Sequence, residues 1–148
     1  MRVVLQRVSR ASVDVEGSRV AEIGAGYLLL VGIGEGDELG EVDRMAEKVV
    51  NLRVFADADH KMNLALADAG GEILVVSQFT LYGDVRKGRR PSWTGAADPA
   101  IAAERVEAFA VALEARGVRV GRGVFGAHMQ VDLLNDGPVS LILDAADL

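Results

Sequence analysis

Polar side chains interrupt an apolar stretch in the middle of this sequence. Residues 73–76 are aliphatic throughout, and Ser77, Gln78 and Thr80 follow them, with Phe79 in between. A buried hydroxyl or amide that lacks a hydrogen-bond partner costs about 1–3 kcal/mol. These groups therefore either bond to nearby backbone, as at a strand end that runs into a turn, or face a ligand. The local pattern leaves both interpretations open.

A second unusual segment, Asn135-Asp136-Gly137-Pro138, precedes the last apolar run of the chain. Asn, Asp and Gly favour turns, and proline restricts the residue before it. The simplest interpretation is the tip of a hairpin between two strands. The alternative is functional, because a Gly-Pro peptide presents backbone carbonyls with no side chain in front of them. The sequence alone does not give the isomer of this peptide bond.

Positive charge is concentrated in one short segment. Arg86, Lys87, Arg89 and Arg90 place four cations within five residues, shortly before the only tryptophan, Trp93. The whole chain is acidic, with 16 Lys and Arg against 22 Asp and Glu and a net charge of -6. This balance argues against a broad positive surface for nucleic acid. The segment is either a solvated loop or a local set of phosphate contacts.

The residue types that are missing narrow the chemistry further. The chain has no cysteine, which excludes a disulfide, a thiolate metal site and a cysteine nucleophile. His60 and His128 stand in no metal-binding spacing, and Ser77 lies in no GxSxG motif. The sequence therefore predicts an activity without metal or other cofactor, and without a histidine beside the polar segment to act as general base.

The elements that must position these residues follow from the hydrophobic pattern. Alternation over residues 3–15 predicts a long half-buried strand with Ser9 on its buried side, and residues 27–33 predict a fully covered strand. Helices are predicted after Asp37 and after Asp98-Pro99, each with an apolar stripe. Strands are also predicted at residues 118–120, 128–134 and 139–143.

The predicted fold class is α+β, with a mostly antiparallel, barrel-like β-sheet and two main helices in a single domain, residues 1–148. The longest purely apolar run, residues 27–31, is far shorter than the roughly 20 residues of a membrane span. The start of the chain has no apolar stretch of signal-peptide length. We therefore expect a cytoplasmic protein with no membrane partner.

Taken together, the segments resemble the D-aminoacyl-tRNA deacylases over nearly the whole chain. The resemblance is carried by Ser77-Gln78-Phe79-Thr80-Leu81 with Asp84, by Asn135-Asp136-Gly137-Pro138, by Leu5-Gln6-Arg7-Val8 and by Met129-Gln130-Val131. Ser140 stands where many members have threonine, and it keeps the hydroxyl.

The resemblance implies an enzyme that hydrolyses the ester between tRNA and a D-amino acid or a misloaded glycine. It implies a homodimer in which Gly137-Pro138 is cis and enters the partner subunit's site, where its carbonyls would reject L-amino acids by collision. The implied site residues are the wall Ser77, Gln78, Phe79 and Thr80, with backbone N–H groups near Phe79 and Thr80 as oxyanion donors, and Arg7, Asn135 and Met129 toward the substrate.

In this reading the neighbouring 2'-hydroxyl of the substrate supplies the missing acid-base group, and Arg86, Lys87, Arg89 and Arg90 are the expected tRNA contacts. Two other readings remain. The chain could be a non-catalytic dimeric module that binds RNA 3' ends, or an esterase with Thr80 or Ser77 as nucleophile.

Overall fold

The structure is a computed structural model that describes residues 1–148. It contains eight strands and two α-helices. In chain order these are β1 (Arg2–Val15), β2 (Ser18–Ile23), β3 (Gly26–Gly32), α1 (Leu39–Asn51), β4 (Phe55–Ala56), β5 (Met62–Leu64), β6 (Glu72–Ser77), α2 (Pro99–Glu114), β7 (Val120–Arg122) and β8 (Gln130–Asp144). A 3-10 turn, Phe79–Tyr82, follows β6.

The main sheet is built around β1. β8 pairs antiparallel with β1 over most of its length, and β2 and β3 are also antiparallel to β1. β6 and β7 continue the sheet in parallel pairs beyond β3. The two ends nearly meet, because a Cβ at Gly121 of β7 would lie 3.5 Å from the Cβ of Ala21 in β2. The predicted fold class, a mostly antiparallel barrel-like sheet with two helices, is confirmed.

The alternation predicted for β1 fails in its middle. Val8 is buried and Ser9 is exposed, whereas the pattern placed Ser9 on the buried side. The register between β1 and β8 shifts on both sides of Val8. Such irregularities rotate a strand locally and so move side chains to the opposite face. The strand beyond this point buries Ala11 and Val13 as expected.

Both helices pack their predicted stripes into the core. α1 buries Val42, Met45, Ala46 and Val49. The predicted cap Asp37 is wrong, since the N-cap is Glu38, whose N–H donates to the Glu41 side chain at 2.7 Å. α2 begins as predicted, with an Asp98 carboxylate oxygen that accepts the Ala100 N–H at 2.9 Å. None of the helices is long and apolar enough to cross a membrane.

β8 is one strand where the sequence predicted two. From Asn135 to Ser140 this strand advances five residues, while the paired positions on β1 advance only from Val8 to Gln6. The excess residues form a bulge, which we call the β8 bulge, Asp136–Val139. The hairpin-tip interpretation of this segment is therefore wrong. The turn-forming residues here form an insertion within one strand, because the chain pairs with β1 both before and after the bulge.

Candidate active site

A cavity of about 430 Å³ opens at the end of β6. Three segments form its wall: the end of β6 with the residues after it, the entry to α2, and the loop before β8. Its lining residues are Val76, Ser77, Gln78, Phe79, Ala96, Ala97, Pro99, Ala102, Phe125, Gly126, Ala127, His128, Met129 and Val131. A largely apolar cavity with a few polar groups at one side is typical of a small-ligand site.

The polar segment places two backbone donors at the start of the 3-10 turn. The Gln78 N–H donates to the Val31 carbonyl at 2.7 Å, and the Leu81 N–H donates to the Gln78 carbonyl at 3.2 Å. Between them, Phe79 and Thr80 are the first two residues of the 3-10 turn, and their N–H groups donate to no loop residue or side chain. The first N–H groups of a helical turn lack intrahelical acceptors, so both are available to an oxygen of a ligand.

The side chains of this segment bond to each other. The Gln78 amide donates to the Thr80 hydroxyl oxygen. This contact orients the hydroxyl within the segment. Neither Ser77 nor Thr80 hydrogen-bonds to a histidine or a carboxylate, so neither has the adjacent base that activates a serine or threonine nucleophile.

The end of the 3-10 turn is held by Arg2 and Asp37. The Arg2 guanidinium lies 4.6 Å from the centre of the Tyr82 ring and donates to the Leu81 carbonyl at 3.2 Å. The Tyr82 hydroxyl donates to Asp37 at 3.4 Å. Burial, together with the nearby Asp37 carboxylate, raises the pKa of Tyr82, which keeps this donor protonated. A Cβ at Gly34 would lie 2.6 Å from the Tyr82 ring, so only glycine leaves room for it.

The loop before β8 brings a histidine to the cavity. His128 lines the same cavity as Ser77 and Gln78, a position that their distance in sequence does not predict. Its side chain makes no hydrogen bond to Ser77, Gln78 or Thr80. Met129, a predicted site residue, also lines the cavity, and its sulfur accepts the Val124 N–H at 3.3 Å. No three His, Asp or Glu side chains meet in a ligand-like group.

The β8 bulge is fixed by two side chains. Arg7 donates to the Asp136 carbonyl at 2.9 Å and also to the Val54 carbonyl. Asn135 spans the bulge, because its amide nitrogen donates to the Val139 carbonyl at 3.1 Å and its amide oxygen accepts the Val139 N–H at 2.9 Å. The Gly137-Pro138 peptide bond is cis, and both residues are exposed.

The structure does not bring all the predicted site residues together within one chain. Ser77, Gln78, Phe79 and Met129 line the cavity, whereas Thr80, which follows Phe79 in the chain, is not part of its lining. Arg7, Asn135, Gly137 and Pro138 do not line it. The cavity wall also contains residues that sequence reasoning missed: Ala96, Ala97, Phe125 and His128. Small and apolar residues of this kind carry no chemical signal in the sequence, since their role depends on long-range folding.

The basic segment forms an exposed loop beside the 3-10 turn. Asp84 and Ser92 close its base through two backbone hydrogen bonds, of 2.8 and 2.9 Å. Arg86 pairs with Asp84 at 2.7 Å, and the hydrogen bonds from Arg86 lower the pKa of Asp84 to about 2. Asp84 is therefore ionised at physiological pH and is available to pair with Arg86. The three remaining cations of the segment are exposed and form no ion pair: Lys87, Arg89 and Arg90.

The cavity combines a largely apolar wall with the polar side chains of Ser77 and Gln78, as a small-ligand site does. The family model described as D-Tyr-tRNA(Tyr) deacylase matches residues 4–144. The chain belongs to this family, whose curated members are ester hydrolases.

Individual relatives agree with the family match. A D-aminoacyl-tRNA deacylase of Chloroflexus aurantiacus is 57% identical over 148 residues, which cover 100% of this chain and 92% of the relative. A D-aminoacyl-tRNA deacylase of Thermomicrobium roseum is 58% identical over 100% of this chain and 96% of its own length. A solved structure described as c-Myc DNA Unwinding Element Binding Protein has a TM-score of 0.91 at 40% identity, covering 97% of this chain and 98% of its own.

Proposed function

We propose that this protein hydrolyses the ester bond of D-aminoacyl-tRNA, and of tRNA mischarged with glycine, and releases free tRNA and amino acid in the cytoplasm. Family membership and the names of the relatives support this activity. The observation that supports the chemistry is the cavity of about 430 Å³, whose wall includes Phe79, the first residue of the 3-10 turn, with Thr80 next to it in the chain. No cofactor is part of the proposal.

Backbone donors account for the chemical step. The ester carbonyl becomes an oxyanion when water attacks it, and the N–H groups of Phe79 and Thr80 would donate to that oxygen. Loss of one such donor typically costs about 2.7–4 kcal/mol of transition-state stabilisation. The ribose 2'-hydroxyl next to the ester would orient or deprotonate the water. The protein then supplies orientation rather than an acid-base side chain.

Selection between D- and L-amino acids is assigned to the β8 bulge of a second copy. Gly137 and Pro138 are exposed and lie outside their own chain's cavity. β8 pairs only with β1, and its exposed Ile142 and Leu134, 80% and 52% accessible, flank the bulge. An open strand edge with exposed apolar residues favours association. In a homodimer the bulge would enter the partner's cavity, with Asn135 and Met129 near the substrate.

In that composite site the carbonyls of Gly137 and Pro138 would bind the substrate's amino group and crowd its Cα. An L side chain would then point at the bulge and collide, while a D side chain would point away. Rejection by collision gives specificity without a dedicated side chain. Glycine has no side chain to collide, which is why glycyl-tRNA belongs to the proposed substrates.

Hydrolysis of matched D- and L-tyrosyl-tRNA tests this function. We expect release of tRNA from the D-substrate only, at a rate unchanged by EDTA, because the chain brings no metal-ligand group together. Glycyl-tRNA is expected to be hydrolysed as well. Equal binding of both tRNAs without turnover would instead identify a non-catalytic RNA 3'-end module, and activity lost to EDTA and restored by zinc would contradict the mechanism.

Thr80→Ala distinguishes backbone catalysis from a hydroxyl nucleophile. We expect this variant to retain at least about one tenth of kcat, because the Thr80 N–H remains and only the contact with Gln78 is lost. Removal of a true nucleophile costs about 10⁴-fold or more. Single-turnover kinetics on D-tyrosyl-tRNA measure the difference. A loss on the nucleophile scale, or a trapped acyl-enzyme, would establish the esterase alternative with Thr80 or Ser77.

The basic loop is proposed to contact tRNA phosphates. The loop follows the 3-10 turn in the chain, and Phe79 of that turn lines the cavity that would hold the tRNA end. Among its cations, Arg86 is already paired with Asp84, so Lys87, Arg89 and Arg90 are the stronger candidates. Exposed unpaired cations gain most from phosphate contact because they release counterions from the RNA.

A further inference from the structure

Two exposed aromatic residues contact each other, one in the cavity wall and one beyond it. Phe79 is 55% accessible and Trp93 is 41% accessible, and their ring centres lie 5.1 Å apart in an edge-to-face arrangement. Phe79 belongs to the cavity wall, so the pair continues from the cavity rim onto the surface. Large aromatic rings are seldom left in water without a partner.

The position of Trp93 is fixed by the backbone around it. A Cβ at Gly83 would lie 2.7 Å from the Trp93 ring, so the ring packs directly on a glycine of the adjacent segment. The Trp93 carbonyl accepts the Ala96 N–H at 3.0 Å, and Ala96 itself lines the cavity. The ring is thus held in place relative to the cavity before any ligand binds.

Positive charge lies next to the rings. The basic loop, residues 84–92, ends immediately before Trp93, and its Lys87, Arg89 and Arg90 are exposed and unpaired. The chain as a whole carries a net charge of -6, so the attraction for anions is local. Aromatic faces beside a positively charged strip are the arrangement that proteins use for single-stranded nucleic acid.

We propose that Phe79 and Trp93, with Lys87, Arg89 and Arg90, form a stacking platform for the unpaired nucleotides that precede the terminal adenosine of the tRNA substrate. The bases would stack on the rings and their phosphates would contact the cations. This inference rests on the proposed function, because the terminal aminoacyl-adenosine must occupy the cavity for its neighbours to reach the rings. Stacking tolerates different bases, so the platform would serve any tRNA.

Trp93 makes the test direct, because it is the only tryptophan and its fluorescence reports on its ring alone. The probe is an uncharged RNA trinucleotide of sequence CCA, with adenosine as its shortened counterpart. We expect saturable quenching by the trinucleotide and much weaker quenching by adenosine. Equal quenching by both would mean that only the terminal nucleotide is bound near the ring, and would overturn the proposal.

Substitutions at Trp93 measure the contribution of stacking with a fluorescently labelled trinucleotide. Trp93→Leu is expected to weaken binding roughly 5- to 150-fold, the range of one base–aromatic contact, and Trp93→Phe to restore most of the affinity. For D-aminoacyl-tRNA, Trp93→Leu should raise KM more than it lowers kcat. Wild-type affinity in a folded Trp93→Leu variant would overturn the platform. Conversion of a dimer to a monomer by Trp93→Leu would also overturn the platform, because it would mean that a second copy of the chain covers the ring.

The charges are tested by salt dependence. Neutralising Arg89 and Arg90 to Gln should flatten the slope of log affinity against log salt by about 0.7 for each lost phosphate contact with single-stranded RNA. Arg44→Gln with Lys48→Gln is the matched control, because both residues are exposed and unpaired on α1. An equal change in this slope in both double variants would show that only the net charge of the protein matters, and would contradict the platform.

These outcomes separate the platform from the catalytic proposal, because the trinucleotide carries no ester. A protein that hydrolyses D-aminoacyl-tRNA but binds RNA independently of Trp93 retains the proposed function and loses the platform. A protein that shows Trp93-dependent RNA binding without hydrolysis loses the catalytic proposal alone.

Discussion

Gly137→Ala is expected to reduce kcat/KM for D-tyrosyl-tRNA by about 10²-fold, the scale of an error of about 1 Å in positioning. A Cβ at Gly137 would lie 2.7 Å from the Val139 nitrogen and 3.3 Å from an Arg7 guanidinium nitrogen. The backbone φ of Gly137 is +150°, a conformation that L side chains rarely adopt. The β8 bulge must therefore shift, and its carbonyls with it.

Chiral selectivity should fall together with this activity. If the Gly137 and Pro138 carbonyls both hold the amino group and exclude L side chains, displacing them removes both effects. The ratio of D- to L-tyrosyl-tRNA hydrolysis is then expected to decrease, measured as kcat/KM for each substrate. A lower rate with an unchanged ratio would assign the bulge to positioning alone and contradict its role as the chiral filter.

Gly17→Ala is the matched control for backbone strain. Gly17 also has a positive φ, of +77°, but a Cβ there would meet nothing within 4 Å. It lies in the turn between β1 and β2, remote in sequence from both parts of the proposed site. We expect a cost of about 1 kcal/mol in the free energy of unfolding and no change in kcat/KM. Thermal denaturation of both variants separates activity loss from unfolding.

Local signals explain which parts of this molecule were predictable. The start of α2 follows from Asp98 and Pro99, whose capping and backbone preferences act over one turn. The buried stripe of α1 follows from its residue spacing. The polar segment after β6 was recognisable because hydroxyl and amide groups break an aliphatic run, and the structure places it at a cavity.

Long-range pairing explains the failures. Asn135-Asp136-Gly137-Pro138 has the composition of a hairpin tip, yet β1 continues alongside it and converts it into a bulge. No local rule contains that partner, which lies more than a hundred residues earlier in the chain. The burial of Val8 in place of Ser9 has the same cause, because the mismatch with β8 alters the alternation of β1. The arrival of His128 at the cavity likewise depends on the return of the chain after α2.

The predicted site residues lie at two separate places on the surface, the cavity and the β8 bulge. A mixture of two variants, each altered at one of these places, tests whether they act together across a dimer. Gly137→Ala and Gln78→Ala are each expected to have low activity as purified proteins, for different reasons: one displaces the β8 bulge, and the other removes a cavity-wall amide. If the bulge acts on the partner's cavity, a mixed dimer contains one site with both parts intact and one with both parts altered. If it acts within its own chain, both sites of a mixed dimer remain defective.

Mixing the two variants at equal concentration, with subunit exchange, should therefore restore about one quarter of wild-type activity, because half of the dimers are mixed and each has one intact site of two. Differently tagged subunits and native mass spectrometry measure the mixed fraction alongside D-tyrosyl-tRNA hydrolysis. Gly137→Ala mixed with the double variant Gly137→Ala, Gln78→Ala is the control, since no arrangement of those chains contains an intact bulge. A rise in activity in the first mixture alone supports a composite site. Mixed dimers without any rise would show that the β8 bulge does not act on the partner's cavity.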